Sequence, residues 1–406
     1  MFRVQRKAEF SKTILLLGIV VCLFQSDISS EYEWEVARAD YAWDFPRDHW
    51  ARDGYKTEWW YFTGHLEADS GERFGYQFTF FRVGLLKERP DVVSDWGAKD
   101  LIMGHAALSP LPARGGAGEP AYAKATARQA GSWGERAEPK HRFSELLYRA
   151  VPLLGGFGDY PDERIAWSRG PAGTAGTWEL KWNGEAFDFS AVDDELGFAF
   201  DLETRPAKPM IFQGPNGFSQ KSETSSAASQ YYSFTRLTTS GSVTLDGQTY
   251  TVSGQSWMDK EFFTNTMTAE QVGWDWFSLQ LDDGRELMLY ILRDAEGRLN
   301  YARGTLVLAD RQTEYLSQTQ FTIESGDTWA SPSGDRYPVS WSVQVSEKGL
   351  RLNVEAQAED QENRSRLIPT LRYWEGAVNV LGPDGERIGV GFVEMTGYGS
   401  STTPAL

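Results

Sequence analysis

One aromatic pattern is written twice in this chain. Residues 58–82 read EWWYFTGHLEADSGERFGYQFTFFR, and residues 273–293 read GWDWFSLQLDDGRELMLYILR. Each opens with aromatic side chains on alternate positions and runs through a strand-like stretch to an acidic turn ending in Gly. Each then returns in a second apolar strand that reaches Arg. Setting Leu66 against Leu281 brings Trp59 onto Trp274, Tyr61 onto Trp276, Thr63 onto Ser278 and His65 onto Gln280. A period of two belongs to β-strands. The same hairpin recurring about 215 residues later therefore predicts two related β-domains, and strands lined with aromatic rings point to an apolar ligand.

Strand grammar continues elsewhere. Val243–Leu245, the turn Asp246-Gly247 and Tyr250–Val252 read as a hairpin, as do Leu279–Arg293 and the stretch Ala377–Val393 around Asp384-Gly385. Short strands between Gly turns imply a sandwich or closed barrel, and closure protects sheet edges. Only short helices are predicted, near 140–150 and 266–272. Pro110–Pro120 and Val151–Gly176 read as long loops. The polar run Ser219–Ser229 is placed just before the passage into the second domain. At 406 residues two domains are the default, with a larger one over 31–237 and a smaller one over 238–406.

The first 30 residues read as an export signal. Arg3, Arg6, Lys7 and Lys12 precede the apolar run Ile14 to Phe24, which is short for a bilayer span, and small polar residues follow through Ser30. A periplasmic or secreted location is expected, with no membrane span after cleavage. The bulky Val21 before Cys22 argues against lipid anchoring through that cysteine. Cys22 is the only cysteine, so the mature chain is expected to lack disulfides, thiolate nucleophiles and cysteine metal sites. Removing the signal moves the formal charge from −17 to −19. That balance disfavours nucleic acid and anionic membrane surfaces as partners. The oligomeric state is not legible.

Chemistry concentrates in two segments. In Gly254–Phe262, strand geometry puts Trp257, Asp259 and Glu261 on one face and Met258 and Lys260 on the other. A carboxyl among aromatic rings is desolvated, and a neighbouring carboxylate disfavours double ionisation, so one pKa rises. That is what general acid catalysis near neutral pH requires. The alternative is an exposed strand face at a barrel rim, its acids neutralised by Lys260 or an arginine. In Gly273–Leu281, Trp274, Trp276, Ser278 and Gln280 share one face. Indoles stabilise a forming carbocation, although ordinary packing uses the same residues. His49, His65, His105 and His141 show no metal-ligand spacing, and of these His65 and His105 are pocket candidates. Serine-hydrolase elbows, phosphate loops and dinucleotide fingerprints are absent, so neither metal nor cofactor is expected.

The motifs Thr57-Glu-Trp-Trp-Tyr61, Phe62-Thr-Gly64, Gln77-Phe-Thr-Phe-Phe-Arg82, His105-Ala-Ala-Leu108, Trp257-Met-Asp-Lys-Glu261, Gly273-Trp-Asp-Trp276, Tyr373-Trp-Glu-Gly376 and Glu394-Met-Thr-Gly-Tyr398 span nearly the whole chain after the signal. Together they resemble the exported AttH-like proteins grouped with hydroxyneurosporene synthase, the carotenoid 1,2-hydratase. The resemblance implies an all-β fold of two tandem lipocalin-like β-barrels. Fungal enzymes that close polyenes into decalins look similar in architecture, with a pocket between the domains. It also implies Asp259 as proton donor, though Trp257 stands where those hydratases carry Tyr, and no histidine lies near Gln230–Tyr232. The site residues expected on this basis are Asp259 and Glu261 for catalysis. Trp257, Trp274, Trp276, Tyr231, Tyr232, Trp59, Tyr61, His65 and His105 are expected to bind an isoprenoid, polyene or lipid. Three functions stay open: acid-catalysed hydration or isomerisation of such a substrate, carriage of a hydrophobic ligand without chemistry, and a structural envelope role.

Overall fold

Alternating strands build two sheets. The computed structural model describes residues 34–91, 94–112 and 141–399. The export segment expected over 1–30 and most of the loop Pro110–Pro120 lie outside those residues. Met1–Trp34 is a separate unit from Glu35–Leu406, and all that follows lies in the latter.

The first sheet opens with β1 (Thr57–Ala68), β2 (Arg73–Gly84), β3 (Asp100–Leu111) and β4 (Arg142–Arg149). It continues through β5 (Gly155–Phe157), β6 (Arg164–Arg169), β7 (Thr177–Trp182), β8 (Phe187–Asp193) and β9 (Phe198–Pro206). Two short strands, β10 (Ile211–Phe212) and β11 (Phe218–Gln220), precede the long hairpin of β12 (Ala228–Leu245) and β13 (Gln248–Asn265). The order is β4-β3-β2-β1-β13-β12-β9-β8-β7-β6-β5, with β10 and β11 on β12. Its two ends are consecutive in the chain, so the sheet curls into a nearly closed barrel.

The second sheet repeats the plan. It begins with β14 (Gly273–Leu281), β15 (Glu286–Arg293), β16 (Leu299–Val307) and β17 (Thr313–Ser317). After β18 (Thr322–Ser325), a separate hairpin of β19 (Thr328–Ala330) and β20 (Arg336–Pro338) leads to β21 (Ser340–Val345) and β22 (Leu350–Ala356). The last strands are β23 (Glu362–Arg364), β24 (Arg372–Leu381) and β25 (Arg387–Met395). The order β17-β16-β15-β14-β25-β24-β22-β21-β18 matches the first sheet strand for strand from its start. The duplicated hairpin, β1–β2 and β14–β15, holds the same place in both.

Local expectations were corrected in four places. Helical structure among the described residues is confined to the single turns Arg47–His49, Pro215–Gly217 and Ser346–Lys348. The stretch predicted as a helix near 140–150 is β4, which finds its hydrogen bonds on β3, and 266–272 is the irregular crossing between the sheets. Val151–Gly176 contains β5 and β6. The passage to the second sheet falls between Asn265 and Gly273, later than residue 238, because both arms of the Asp246-Gly247 hairpin pair with first-sheet strands β9 and β1. That hairpin's turn has φ of 50° at Asp246 and 81° at Gly247, the left-handed pair that suits strand twist.

Both interiors are packed with apolar side chains. The first holds Trp60, Phe62, Phe78, Trp178, Phe187 and Phe189, with Phe78 stacked on Phe189 at 4.8 Å. At one end Glu58, Arg82 and Lys260 form a buried ion cluster, and the Lys260 ammonium lies 3.5 Å from the Trp60 ring centroid. The second interior packs Phe277, Leu279, Trp341, Val354 and Trp374. A third apolar cluster joins the outer faces of the two sheets through Tyr61, Tyr231, Trp257, Trp276, Tyr290 and Phe392. The sheets lie close together where Gly75 meets Ala377: a Cβ on residue 75 would sit 2.9 Å from the Ala377 Cβ and 3.4 Å from the Phe392 ring.

Candidate active site

Strand alternation decides which side chains reach this seam. On β1, Trp60 and Phe62 enter the first barrel, while Trp59 and Tyr61 turn toward the second sheet. On β13, Met258 goes in and Trp257, Asp259 and Glu261 go out, in register with Thr63, Tyr61 and Trp59. β14 sends Phe277 and Leu279 inward and offers Trp274 and Trp276. Between the two outer faces lies a cavity of about 100 Å³ lined by side chains from both sheets, Asp259, Glu261 and Glu394 among them. That is smaller than the roughly 150 Å³ of an apolar cavity that takes up benzene, so a longer group would also have to occupy the cavity's more exposed side. The half-buried Trp59, Trp274, Thr266 and Met267 mark its more exposed side.

Asp259 is 2% exposed. Its Oδ1 accepts hydrogen bonds from Ser233 Oγ at 2.5 Å and Trp257 Nε1 at 2.7 Å, and its Oδ2 accepts one from Tyr231 OH at 2.6 Å. Loss of water outweighs these donors and pushes its pKa up to about 7, with the charge of Glu261 adding to the rise. Tyr231 OH in turn accepts from Trp276 Nε1 at 3.2 Å, so the second sheet holds the phenol that holds the acid. Glu261 is differently placed: Lys221 Nζ pairs with it at 2.9 Å and Ser229 Oγ donates to it.

A second acid faces the first. Glu394 on β25 lines the cavity, and burial pushes it up to about 7, opposed by a hydrogen bond from Trp274 and helped by the charges of Asp259 and Glu261. Beside it on β24, Glu375 is held well above the ordinary carboxyl range by burial and by Glu394. Tyr61 OH donates to Glu375 Oε1 at 2.5 Å.

A polar corner completes the lining. His105 is 2% exposed. Its Nδ1 lies 2.7 Å from Tyr373 OH, and its Nε2 has no protein partner. Gln77 Nε2 donates to Tyr373 OH at 3.2 Å, and Asn363 Nδ2 donates to Gln77 Oε1 at 3.0 Å. Burial depresses His105 to about 3, so the ring is neutral.

The structure gathers Trp59, Tyr61, His105, Tyr231, Asp259, Glu261, Trp274 and Trp276 around one cavity, and Trp257 stands behind Asp259. Two expected binding residues are elsewhere. Tyr232 follows Tyr231, so its side chain enters the first barrel, where its OH meets His49 Nδ1 at 2.6 Å. His65 lies farther along the seam, 2.9 Å from the Gly391 carbonyl and outside the cavity lining. Sequence reasoning missed Glu394, Tyr373, Gln77 and Lys221. The first three lie in segments already singled out as motifs, and extending the duplication across the sheet would have paired an acid with Trp276 as Asp259 pairs with Tyr61. Lys221 lies in the polar run placed just before the passage into the second domain. Among the described residues, no three His, Cys, Asp or Glu side chains converge to hold a metal ion, and no helix is long and apolar enough to cross a membrane.

Comparison with known proteins agrees with this architecture. The AttH-like family model matches residues 36–398. A solved AttH-like protein from Nitrosomonas europaea is 27% identical over 90% of this chain and 99% of that one, with a TM-score of 0.73. Kievitone hydratase from Nectria haematococca shares the fold at 14% identity, over 89% of this chain and 95% of that one, with a TM-score of 0.59. No curated protein matches the sequence.

Proposed function

This chain belongs to the AttH-like family, and on that premise we propose that it is a hydratase-like enzyme adding water to an alkene of an isoprenoid or polyene-type substrate held between the sheets. The observation that carries this reading is the Asp259 carboxyl, buried in an aromatic cavity wall with its pKa pushed up to about 7. An acid near the working pH is both protonated and ready to give the proton up. Asp259 delivers that proton to the alkene carbon; the π bond breaks, a C–H bond forms, and a tertiary cation remains. Trp274 and Trp276 face it, each contributing about 0.5–2 kcal/mol. Water then attacks the cation, and its surplus proton passes to Glu394. Asp259 and Glu394 return to their starting state by exchanging a proton through solvent. That kievitone hydratase has this fold means that the fold can house a hydratase. The basic and apolar N-terminus supports placing this activity outside the cytoplasm.

The test is incubation with isoprenoid alkenes in H₂¹⁸O, followed by mass analysis. Hydration adds one labelled water, and Asp259→Asn abolishes it; an unchanged rate in that variant would falsify the role of Asp259. One observation favours a carrier instead: both Asp259 oxygens already accept hydrogen bonds from the protein, which suits a structural carboxyl. In that case the same assay returns the ligand bound and chemically unaltered.

A further inference from the structure

Proton delivery leaves the polar corner of the cavity without a task. Asp259, Tyr61, Thr79 and His105 are cross-strand partners in one row over β13, β1, β2 and β3. Three strand spacings, about 14 Å at the backbone, separate the acid from the histidine. His105 is buried, lines the cavity, and leaves Nε2 without a partner. A buried polar nitrogen with no hydrogen bond costs stability, and such groups are rare unless something else meets them.

The direction of the neighbouring hydrogen bonds fixes what Nε2 can offer. His141 Nε2 lies 2.8 Å from Asn363 Oδ1, which can only accept. Asn363 Nδ2 donates to Gln77 Oε1, and Gln77 Nε2 donates to Tyr373 OH. Among the described residues the Tyr373 hydroxyl meets no acceptor other than the imidazole, since Gln77 Nε2 can only donate, so its own proton points to His105 Nδ1 at 2.7 Å. A neutral imidazole that accepts at Nδ1 carries its proton on Nε2. Each link orients the next, and the chain ends in an N–H donor.

We infer that His105 is a recognition residue for an oxygen acceptor, and that the ligand is an apolar chain with a carbonyl, hydroxyl or ether oxygen at the end remote from the carbon that meets Asp259. This deepens the proposed function, since it rests on the same cavity, and it sets a pure hydrocarbon aside as the preferred ligand. The Asp259-to-His105 row acts as a ruler: the oxygen seats at His105 and the chain runs past Tyr61 toward the acid.

Geranylacetone and its analogue with a methylene in place of the carbonyl are matched probes. Quenching of cavity tryptophans is expected to give the ketone an affinity roughly tenfold higher in the wild-type protein, the scale of one hydrogen bond to a buried donor. His105→Phe should bind both alike. Tyr373→Phe, which frees Nδ1, should shrink the preference while keeping the ring. Because the chain has 4 histidines, ¹⁵N spectra of labelled protein can assign His105 by its loss in His105→Phe. A proton on Nε2 and a bare Nδ1 are expected, with Nε2 shifting on addition of the ketone and not of the hydrocarbon. A proton on Nδ1, equal affinity for the two probes, or binding of neither would overturn the inference. Ketone preference without any turnover would uphold it and count against hydration alone.

Discussion

Asp259 and Glu394 occupy equivalent places in the two sheets. Asp259 on β13 is paired across from Tyr61 on β1, and Glu394 on β25 is paired across from Trp276 on β14. Tyr61 and Trp276 are the matching positions of the duplicated hairpin, and their rings meet edge to face at 5.3 Å. Each half of the molecule thus supplies one acid beside one aromatic ring, and the two sets face each other across the cavity.

Two interacting carboxyls with pKa values pushed to about 7 titrate as a pair. The proposed mechanism needs Asp259 protonated and Glu394 ionised, so kcat/KM is expected to be bell-shaped with its apex near pH 7. Glu394→Gln should lower the rate by about 10²–10⁴ and remove the acidic limb. A profile that stays flat from about pH 5 to 9 would rule out the pair.

Trp276 packs against Tyr61 and Trp257 and donates to Tyr231. Trp276→Ala is expected to cost about 3–5 kcal/mol of stability, read by urea denaturation, and to weaken ligand binding. Trp276→Phe should keep most of the stability and lose the support of the Tyr231 hydroxyl, so its defect should fall on kcat more than on the denaturation midpoint.

Glu58 pairs with Arg82 and Lys260 where all three side chains are shut off from water. Glu58→Gln takes the carboxylate partner from the buried Lys260 and leaves Arg82 with Asp100 alone, and is expected to cost about 3–5 kcal/mol. Its side chain lies on the barrel-interior face of β1, so ligand affinity in the folded fraction should not change. A large loss of affinity would mean that the two faces are coupled.

His105 is depressed to about 3 by burial, against an ordinary value of about 6.5. Its neutral form therefore contributes stability that is complete above about pH 6.5 and is lost as pH falls toward 3, because the unfolded chain binds the proton first. His105→Phe lacks this term. The wild-type minus variant stability should fall by up to about 1.4 kcal/mol per pH unit on acidification, measured by denaturation at pH 7, 6 and 5. Parallel curves would show that the ring titrates as it does in water.

Much of this was legible because it is periodic. The repeated hairpin became β1–β2 and β14–β15, and alternation put Trp257, Asp259 and Glu261 on one face. Alternation names two faces without saying which is inside, which is why Tyr232 was grouped with Tyr231 although the two point oppositely. Long-range pairing was also hidden: nothing local to Gln248–Asn265 announces that β13 returns to β1. The Arg142–Arg149 segment has no strong local signal and takes its structure from β3. Glu394 was visible within a motif, but its partnership with Trp276 exists only once the second sheet is assembled.

The contact between Gly75 and Ala377 has a consequence for the breadth of molecule this protein can accept. Two of the smallest residues meet there, with no room for a Cβ at position 75. A bulkier residue at position 75 forces the local packing against Ala377 to shift, and it is expected to change the fit of ligands of different thickness without replacing any group that lines the cavity. Selectivity for thin or thick ligands can thus be retuned from a site with no chemistry of its own.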